Sequence, residues 1–476
     1  MTDLSAPALV LFRDDLRLAD NPALSAAIAS GRPLACLYCL DEEGPDIRPL
    51  GAAARWWLHQ SLDRLGKALA AKGHALILRR GRAADIVEAL AQTLGVAEVH
   101  WNRRYGGGER AVDADLKQRL KQRGLTAESH QANLLFEPWT VRTQSDQPFR
   151  VFTPFWRNCL ARGAPRQPLP APARWPQPAT TVPSDALDDW HLLPHHPDWA
   201  GGLREAWTPG EEGAATRLAA FLDHGLRLYA GHRDEPAVDA TSLLSPHLRF
   251  GEISPFQLFH AVEAASHSGD PAPPRRSVDK FISELGWREF SWHLLFHQAD
   301  LATRNFQPRF DAFAWPETDE TLLKAWQQGR TGFPIVDAGM RQLWQTGWMH
   351  NRVRMITASF LIKNLLVDWR IGEAWFWDTL VDADAASNPA GWQWVAGSGA
   401  DAAPYFRIFN PVKQGETFDP DGAYVRRFVP ELGHVDSAGI HQPKPAGRGA
   451  YPAPIVDLAA TRTRALAAFA AIKDAG

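Results

Sequence analysis

The segment from Gly347 to Trp394 holds the residues best suited to chemistry. It reads GWMHNRVRM, then DWR, then DADAASNPAGWQW, so arginines, paired aspartates, an asparagine and indoles fall on what read as consecutive helices. Polar groups inside a core each need a partner or cost stability. A flat, redox-active, hydrogen-bonding cofactor would use all of them. Eleven of the 20 tryptophans lie between Trp287 and Trp394, which places the chemistry in the C-terminal half.

Two aspartates two residues apart, Asp382 and Asp384, need a cation such as Arg354. A structural ion pair accounts for Arg354 and Asp382 but leaves Asn388 and the spaced indoles unexplained. Upstream, SELGWREF sets Glu284 and Arg288 four apart on a helix with Trp287 on much the same face. That spacing suits a solvated ion pair beside a core indole. It also suits a carboxylate at an aromatic platform, poised to hydrogen-bond a heterocycle. In DATSLLSPHLRFGEIS, the hydroxyls of Thr241, Ser242 and Ser245 stand where a helix begins, and Pro246 lies in its first turns. They can cap the helix or, with its free N–H groups, bind phosphate.

The elements that would carry these residues follow from hydrophobic periodicity. Short apolar runs at Ala8–Phe12, Leu34–Leu40, Ala75–Leu78, Glu98–Trp101 and Thr126–His130 read as strands. Helical patterns at Ala52–Ala71, Ala83–Leu94 and Glu109–Arg123 alternate with them, as in a parallel sheet covered on both faces. FRDDLRLADNP follows the first strand where a dinucleotide fold would place GxGxxG, which argues against a nicotinamide site. The expected organisation is an α/β domain over 1–135, an interdomain linker over 136–211 whose proline-rich stretch from about Ala164 to Gly210 wraps over the surface, an all-α domain over 212–445 and a tail over 446–476 with a helix at Leu458–Lys473. GWMHNRVRMITASFLIKNLLVDWR reads as one long helix.

Bulk properties narrow the classes. A length of 476 residues, 45% hydrophobic and 22% charged, fits a globular protein of two domains. No apolar run spans a bilayer, and MTDLSAPALVLFRDD is not a cleavable signal, so a cytoplasmic monomer without membrane contact is expected. Cys36, Cys39 and Cys159 offer no disulfide framework. The CxxC lies in a strand, where positions three apart face opposite sides, and so reads as small core residues. A formal charge of −3 excludes indiscriminate coating of nucleic acid but allows a local basic groove.

FRDDLRLADN, TSLLSPHLRFGEIS, SELGWREF, TGFPIVDAGMRQL, GWMHNR, DADAASNPAGWQW and APYFRIFNP, in this order, resemble the DNA photolyase/cryptochrome family, and within it the bacterial enzymes that repair cyclobutane pyrimidine dimers. The resemblance implies FAD in the helical domain, with Tyr229 and Thr241, Ser242, Leu243, Leu244 and Ser245 around its ribityl and phosphate groups. It pairs Arg354 with Asp382, sets Asp382 and Asp384 against the flavin, places Arg288 in the same site, and faces Asn388 to the flavin N5. Plant cryptochromes carry aspartate and animal ones cysteine at that last position, so Asn388 favours repair. Members acting on (6-4) products carry histidines where this chain has Asn351 and Met355.

By the same resemblance Glu284 and Asn351 contact the dimer, with Met355 beside them, and Trp287 and Trp394 wall the flipped-out bases. Flipping costs a few kcal/mol, and aromatic stacking of about 1–3 kcal/mol per base offsets it. Trp315, Trp369 and Trp392 match the family's electron-transfer chain, while Arg233, Arg352 and Arg407 are expected phosphate contacts on damaged DNA. Glu109 falls on a folate-contacting carboxylate, but Thr303 stands at or near a lysine of some folate binders. Methenyltetrahydrofolate, with contacts from the Trp56–Trp57 helix, 8-hydroxy-deazaflavin, or no antenna all stay open. The expected activity is light-driven splitting of the dimer by reduced FAD. A non-repairing blue-light sensor, a (6-4) enzyme and a non-flavin α/β enzyme are the alternatives.

Overall fold

The computed structural model describes residues 4–268, 272–402 and 406–472. Five strands, β1 (Ala8–Phe12), β2 (Leu34–Leu40), β3 (Leu76–Arg80), β4 (Glu98–Asn102) and β5 (Thr126–His130), form one parallel sheet in the order β3-β2-β1-β4-β5. Alternation along each strand feeds two separate cores. Val10 and Cys36 face the helices Pro22–Ala29 and Ala52–Ala70, while Leu9, Leu11 and Cys39 face Ala83–Leu94 and Gly107–Gln122. Cys36 and Cys39 therefore lie on opposite faces, and burial pushes both thiols up to about 12. The strands and helices match the sequence expectation to within two residues at each end. The helix Pro22–Ala29 was not anticipated, although Asn21 and Pro22 are cap residues, and the Asn21 Oδ1 accepts the Leu24 N–H (3.1 Å).

The interdomain linker is not irregular throughout. Ahead of its proline-rich stretch it contains a helix, Phe152–Leu160, whose Phe152, Phe155 and Trp156 belong to a helical-domain core with Phe281 and Phe290. Further along, Gln177–Ala179 hydrogen-bonds to Leu34, and Trp190, Leu192, Leu203 and Trp207 are buried against the α/β domain. Four aromatic or leucine side chains bury enough apolar surface to fix a segment whose prolines forbid regular structure.

The remainder is helical, centred on Arg275–His297, Pro334–Thr346, Asn351–Ser359, Trp369–Thr379 and Ser387–Ala396. The single long helix expected from Gly347 onward is two. Asn351–Ser359 runs into a π turn at Phe360–Asn364, Leu366 takes a left-handed φ of 56°, and the chain restarts at Trp369. Asp368 caps the restart by accepting the Arg370 N–H (3.0 Å). His350 caps the first piece, its Nδ1 accepting the Arg352 N–H (3.2 Å). An acceptor nitrogen must be unprotonated, and burial lowers the His350 pKa to about 4. The C-terminal helix is Leu458–Ala471; the expected end at Lys473 lies outside the described residues, as do residues 403–405 of APYFRIFNP. Among the described residues no helix is long and apolar enough to cross a membrane.

Candidate active site

These helices enclose a cavity of about 330 Å³. Arg275–His297 sends Glu284, Leu285 and Arg288 to its wall, Asn351–Ser359 sends Asn351, Arg354 and Met355, and Ser387–Ala396 sends Asn388 and Trp392. Tyr229, Ser242, Ser245, Asp382 and Asp384 complete the polar lining. Thr241, Leu243 and Leu244 do not line it. Leu244 is fully buried in the neighbouring core, and Leu243, with φ 54°, turns the chain so that Ser242 and Ser245 reach the cavity. The helix after them, Ser245–Arg249, is a single turn.

The electrostatic centre of the wall is the pair Arg354–Asp382. Arg354 Nη2 meets Asp382 Oδ2 at 2.7 Å, and Ser245 Oγ donates to the same oxygen at 2.6 Å. Asp382 Oδ1 is buried and has no partner. A buried carboxylate oxygen without a donor is costly, so this wall is complementary to a ligand that brings N–H or O–H groups. Asp384 is spent differently: its Oδ1 accepts the Ala386 and Ser387 N–H groups, which shapes the turn into Ser387–Ala396. Asn388 Nδ2 donates to Glu373 Oε1 (2.8 Å) and to the Glu373 carbonyl (3.1 Å). Glu373, only 2% exposed, is held in turn by both Nη atoms of Arg48 from the α/β domain (2.7 and 2.8 Å).

The helical spacing of Glu284 and Arg288 does not make an ion pair. Glu284 bonds Arg233 and lies 3.1 Å from Lys280, whereas Arg288 Nη1 donates to the Asn133 carbonyl (2.8 Å). Arg352 pairs with Asp234 (2.9 Å), the residue beside Arg233, so two expected phosphate ligands sit in one charged cluster that reaches the cavity wall through Glu284. Trp287 stacks on Phe152, with ring centroids 3.8 Å apart and planes at 10°. Trp394 lines a separate small recess with Lys363, Arg407 and Phe409.

Trp392 is the tryptophan of the main wall. Its ring lies over Gly372, where a Cβ would collide with it, and Gly372 is one turn beyond Trp369 in the same helix. Trp369 is buried, with Nε1 donating to Asn305 Oδ1 (3.0 Å), and Trp315 is half-buried against Phe313 (4.4 Å). Trp326 and Phe376 also contact Trp392, at 6.3 and 4.9 Å.

A second, smaller cleft joins this site to the sheet. Glu109 lines it together with Asp14, Arg104 and Tyr105 from the carboxyl ends of β1 and β4, and it shares Arg249, Arg288 and Asp384 with the main cavity. Crevices at the switch point of such sheets are where α/β domains hold ligands. The Trp56–Trp57 pair is not there: both rings are fully buried in the core, and Trp57 Nε1 donates to Glu252.

Sequence reasoning did not single out Arg249, Arg48 or Glu373. Arg249 donates to the Ala383 carbonyl (2.9 Å) and to Asp14 (2.8 Å), tying the two domains across the DADA turn. Its signal was its place in TSLLSPHLRFGEIS. Arg48 and Glu373 carried none, being 325 residues apart.

Comparison with known proteins decides the family. A model described as the FAD binding domain of DNA photolyase matches residues 281–471, and one described as DNA photolyase matches residues 8–173. The chain belongs to the DNA photolyase family. It is 50% identical to a deoxyribodipyrimidine photo-lyase of Agrobacterium fabrum over 98% of both chains. It is 36% identical to Cryptochrome-1 of Arabidopsis thaliana, covering 96% of this chain and 69% of that one. Among solved structures, a bacterial class III photolyase from Agrobacterium tumefaciens superposes with a TM-score of 0.94 at 50% identity, over 99% of this chain and 98% of the other.

Proposed function

We propose that this chain repairs cyclobutane pyrimidine dimers in DNA by light-driven electron transfer, as a deoxyribodipyrimidine photo-lyase. The observation that carries the reading is the composition of the cavity wall. Asp382 presents an unsatisfied acceptor, Arg354 a fixed cation and Asn388 an oriented amide, while Trp392 closes the same wall. These residues suit FAD: acceptors for ring N–H groups, an arginine for a developing negative charge, and hydroxyls of Ser242 and Ser245 for its polar chain. When bound and reduced, FAD supplies the absorption of blue light and the electron that opens the cyclobutane ring.

The protein's part is positioning. Asn351 and Met355 stand four apart on one helix with side chains in contact (4.0 Å), and both line the same cavity as Glu284. Glu284 is held by Arg233, so a dimer that accepts from Arg233 or donates to Glu284 would be met by preset groups. No histidine lines the cavity among the described residues, since the nearest in sequence, His350, is buried as a helix cap. Dimer splitting needs no proton donor, and this favours dimers over (6-4) products. Trp287 and Trp394 would flank flipped-out bases, with Arg233, Arg352 and Arg407 on the phosphates. Trp392, Trp369 and Trp315, running from the cavity wall to a half-buried position, would resupply electrons to oxidised cofactor. Glu109 in the second cleft would contact an antenna, folate or deazaflavin.

Oligonucleotides each carrying one lesion separate the readings. Reduced protein under blue light should restore the strand with a cyclobutane dimer and leave the (6-4) strand untouched. Repair of the (6-4) strand alone would overturn the substrate, and bound flavin with repair of neither would favour a light sensor.

A further inference from the structure

The outer edge of the sheet carries a cluster that repair chemistry does not use. β5 is an edge strand, and its register with β4 sets His100 beside Glu128 and Asn102 beside His130. Since alternate residues share a face, Glu98, His100, Glu128 and His130 come together on one side. His100 Nδ1 and His130 Nε2 face each other at 3.2 Å, and Glu128 Oε2 lies 3.9 Å from His100 Nδ1. Behind them, His100 Nε2 is 3.3 Å from Glu98 Oε1 but makes no hydrogen bond of good geometry, although His100 is only 4% exposed.

Each distance has a reason if an ion sits between the side chains. Zinc binds imidazole nitrogen at about 2.0–2.1 Å, so two such ligands in a tetrahedron lie about 3.3 Å apart. Metal-bound histidines characteristically give their second N–H to a carboxylate, which is the place of Glu98. The pocket is also matched in charge. Glu98 is neutralised by Arg32 (3.6 Å), which leaves the Glu128 carboxylate to the ion. Of the other cations nearby, Arg103 is occupied by Glu137 and the Ser129 carbonyl, and Lys117 acts only at longer range. The Glu128 side chain is 56% exposed, which opens a path from solvent. Among the described residues this is the only group of three such side chains with converging ligand atoms.

We propose that His100 Nδ1, His130 Nε2 and a Glu128 oxygen bind one zinc-class divalent cation, with Glu98 orienting His100 from behind. Two imidazoles and one carboxylate select zinc, cobalt or nickel over magnesium and calcium. Water would take the fourth position, and the ion would staple β5 to β4 at an edge that otherwise has only one neighbouring strand.

The test uses tag-free, flavin-loaded full-length protein, stripped with a chelator and titrated calorimetrically with zinc sulfate or magnesium chloride. One zinc per chain at micromolar affinity or tighter is expected, with no response to magnesium. Glu98→Gln should weaken zinc about 10- to 100-fold, and Glu128→Gln, at an exposed position that cannot disturb the core, should also weaken it. The unfolding temperature should rise with zinc in the wild type and stay constant in His130→Ala/Glu128→Gln. Absence of stoichiometric zinc, or equal affinity in that double variant, would overturn the site.

Discussion

Asn388 donates its side-chain N–H groups to Glu373, at 2.8 Å to the carboxylate and 3.1 Å to the carbonyl. With Nδ2 so engaged, the atom that Asn388 can turn toward the cavity is Oδ1, an acceptor. Its orientation depends on Arg48, which grips Glu373 from the other domain. Arg48→Met should therefore act at a distance. It leaves a carboxylate that is 2% exposed without its cation, a change that typically costs about 3–5 kcal/mol. Denaturant unfolding should report the loss, and the absorption fine structure of bound flavin should broaden as Asn388 gains freedom.

Arg354→Met removes the partner of Asp382 and leaves that carboxylate holding only Ser245. Purified variant should retain much less FAD, read as the ratio of flavin to protein absorbance. Asp382→Asn keeps the shape and should lose less. Equal retention by wild type and Arg354→Met would show that the pair does not form the flavin wall.

Trp392→Phe should abolish photoreduction of oxidised flavin and leave repair by chemically reduced protein largely intact. Trp369→Phe should do the same, because the Trp392 ring packs over Gly372, one turn along the helix from Trp369. Transient absorption after a flash measures both. Loss of repair together with photoreduction would place Trp392 in the flavin site for packing and not for electron supply.

Lys363 gives a pH dependence that can be isolated. Burial, helped by Arg407, pulls its amine down from 10.5 to about 7, and the Nζ donates to the Arg407 carbonyl. Between pH 7 and 10.5 the unfolded chain holds a proton at this residue that the folded chain does not, so stability rises with pH across that window and the gain is lost as pH falls toward 7. The wild type should gain stability relative to Lys363→Met between pH 7 and pH 9. Parallel denaturation curves for the two proteins at both pH values would contradict the burial of an uncharged amine.

The sheet was legible because strands buried on both faces read as unbroken apolar runs, as in LACLYCL. The cavity residues were legible because they cluster in short motifs. The break at Leu366 was not, since leucine gives no local signal for a left-handed φ; only Asp368, a cap residue, marked the restart. Nor were the pairs that tune the site. Glu284 finds Arg233, 51 residues away, in preference to Arg288 one turn along, because the helix faces that meet in space decide the partner. Over the connector from about Ala164 to Gly210 the prolines signalled irregular backbone correctly, while Phe155 and Trp156, ahead of that stretch, are apolar anchors for the core that the linker reading passed over.

Light dependence on a defined substrate tests the central claim most directly. Reduced protein is mixed with oligothymidylate containing cyclobutane dimers, and thymine absorbance is followed under blue light and in darkness. The structure predicts recovery in light, none in darkness, and a lower repair yield at unchanged FAD content in Glu284→Ala. Flavin-loaded protein that restores no absorbance in light would contradict the assignment.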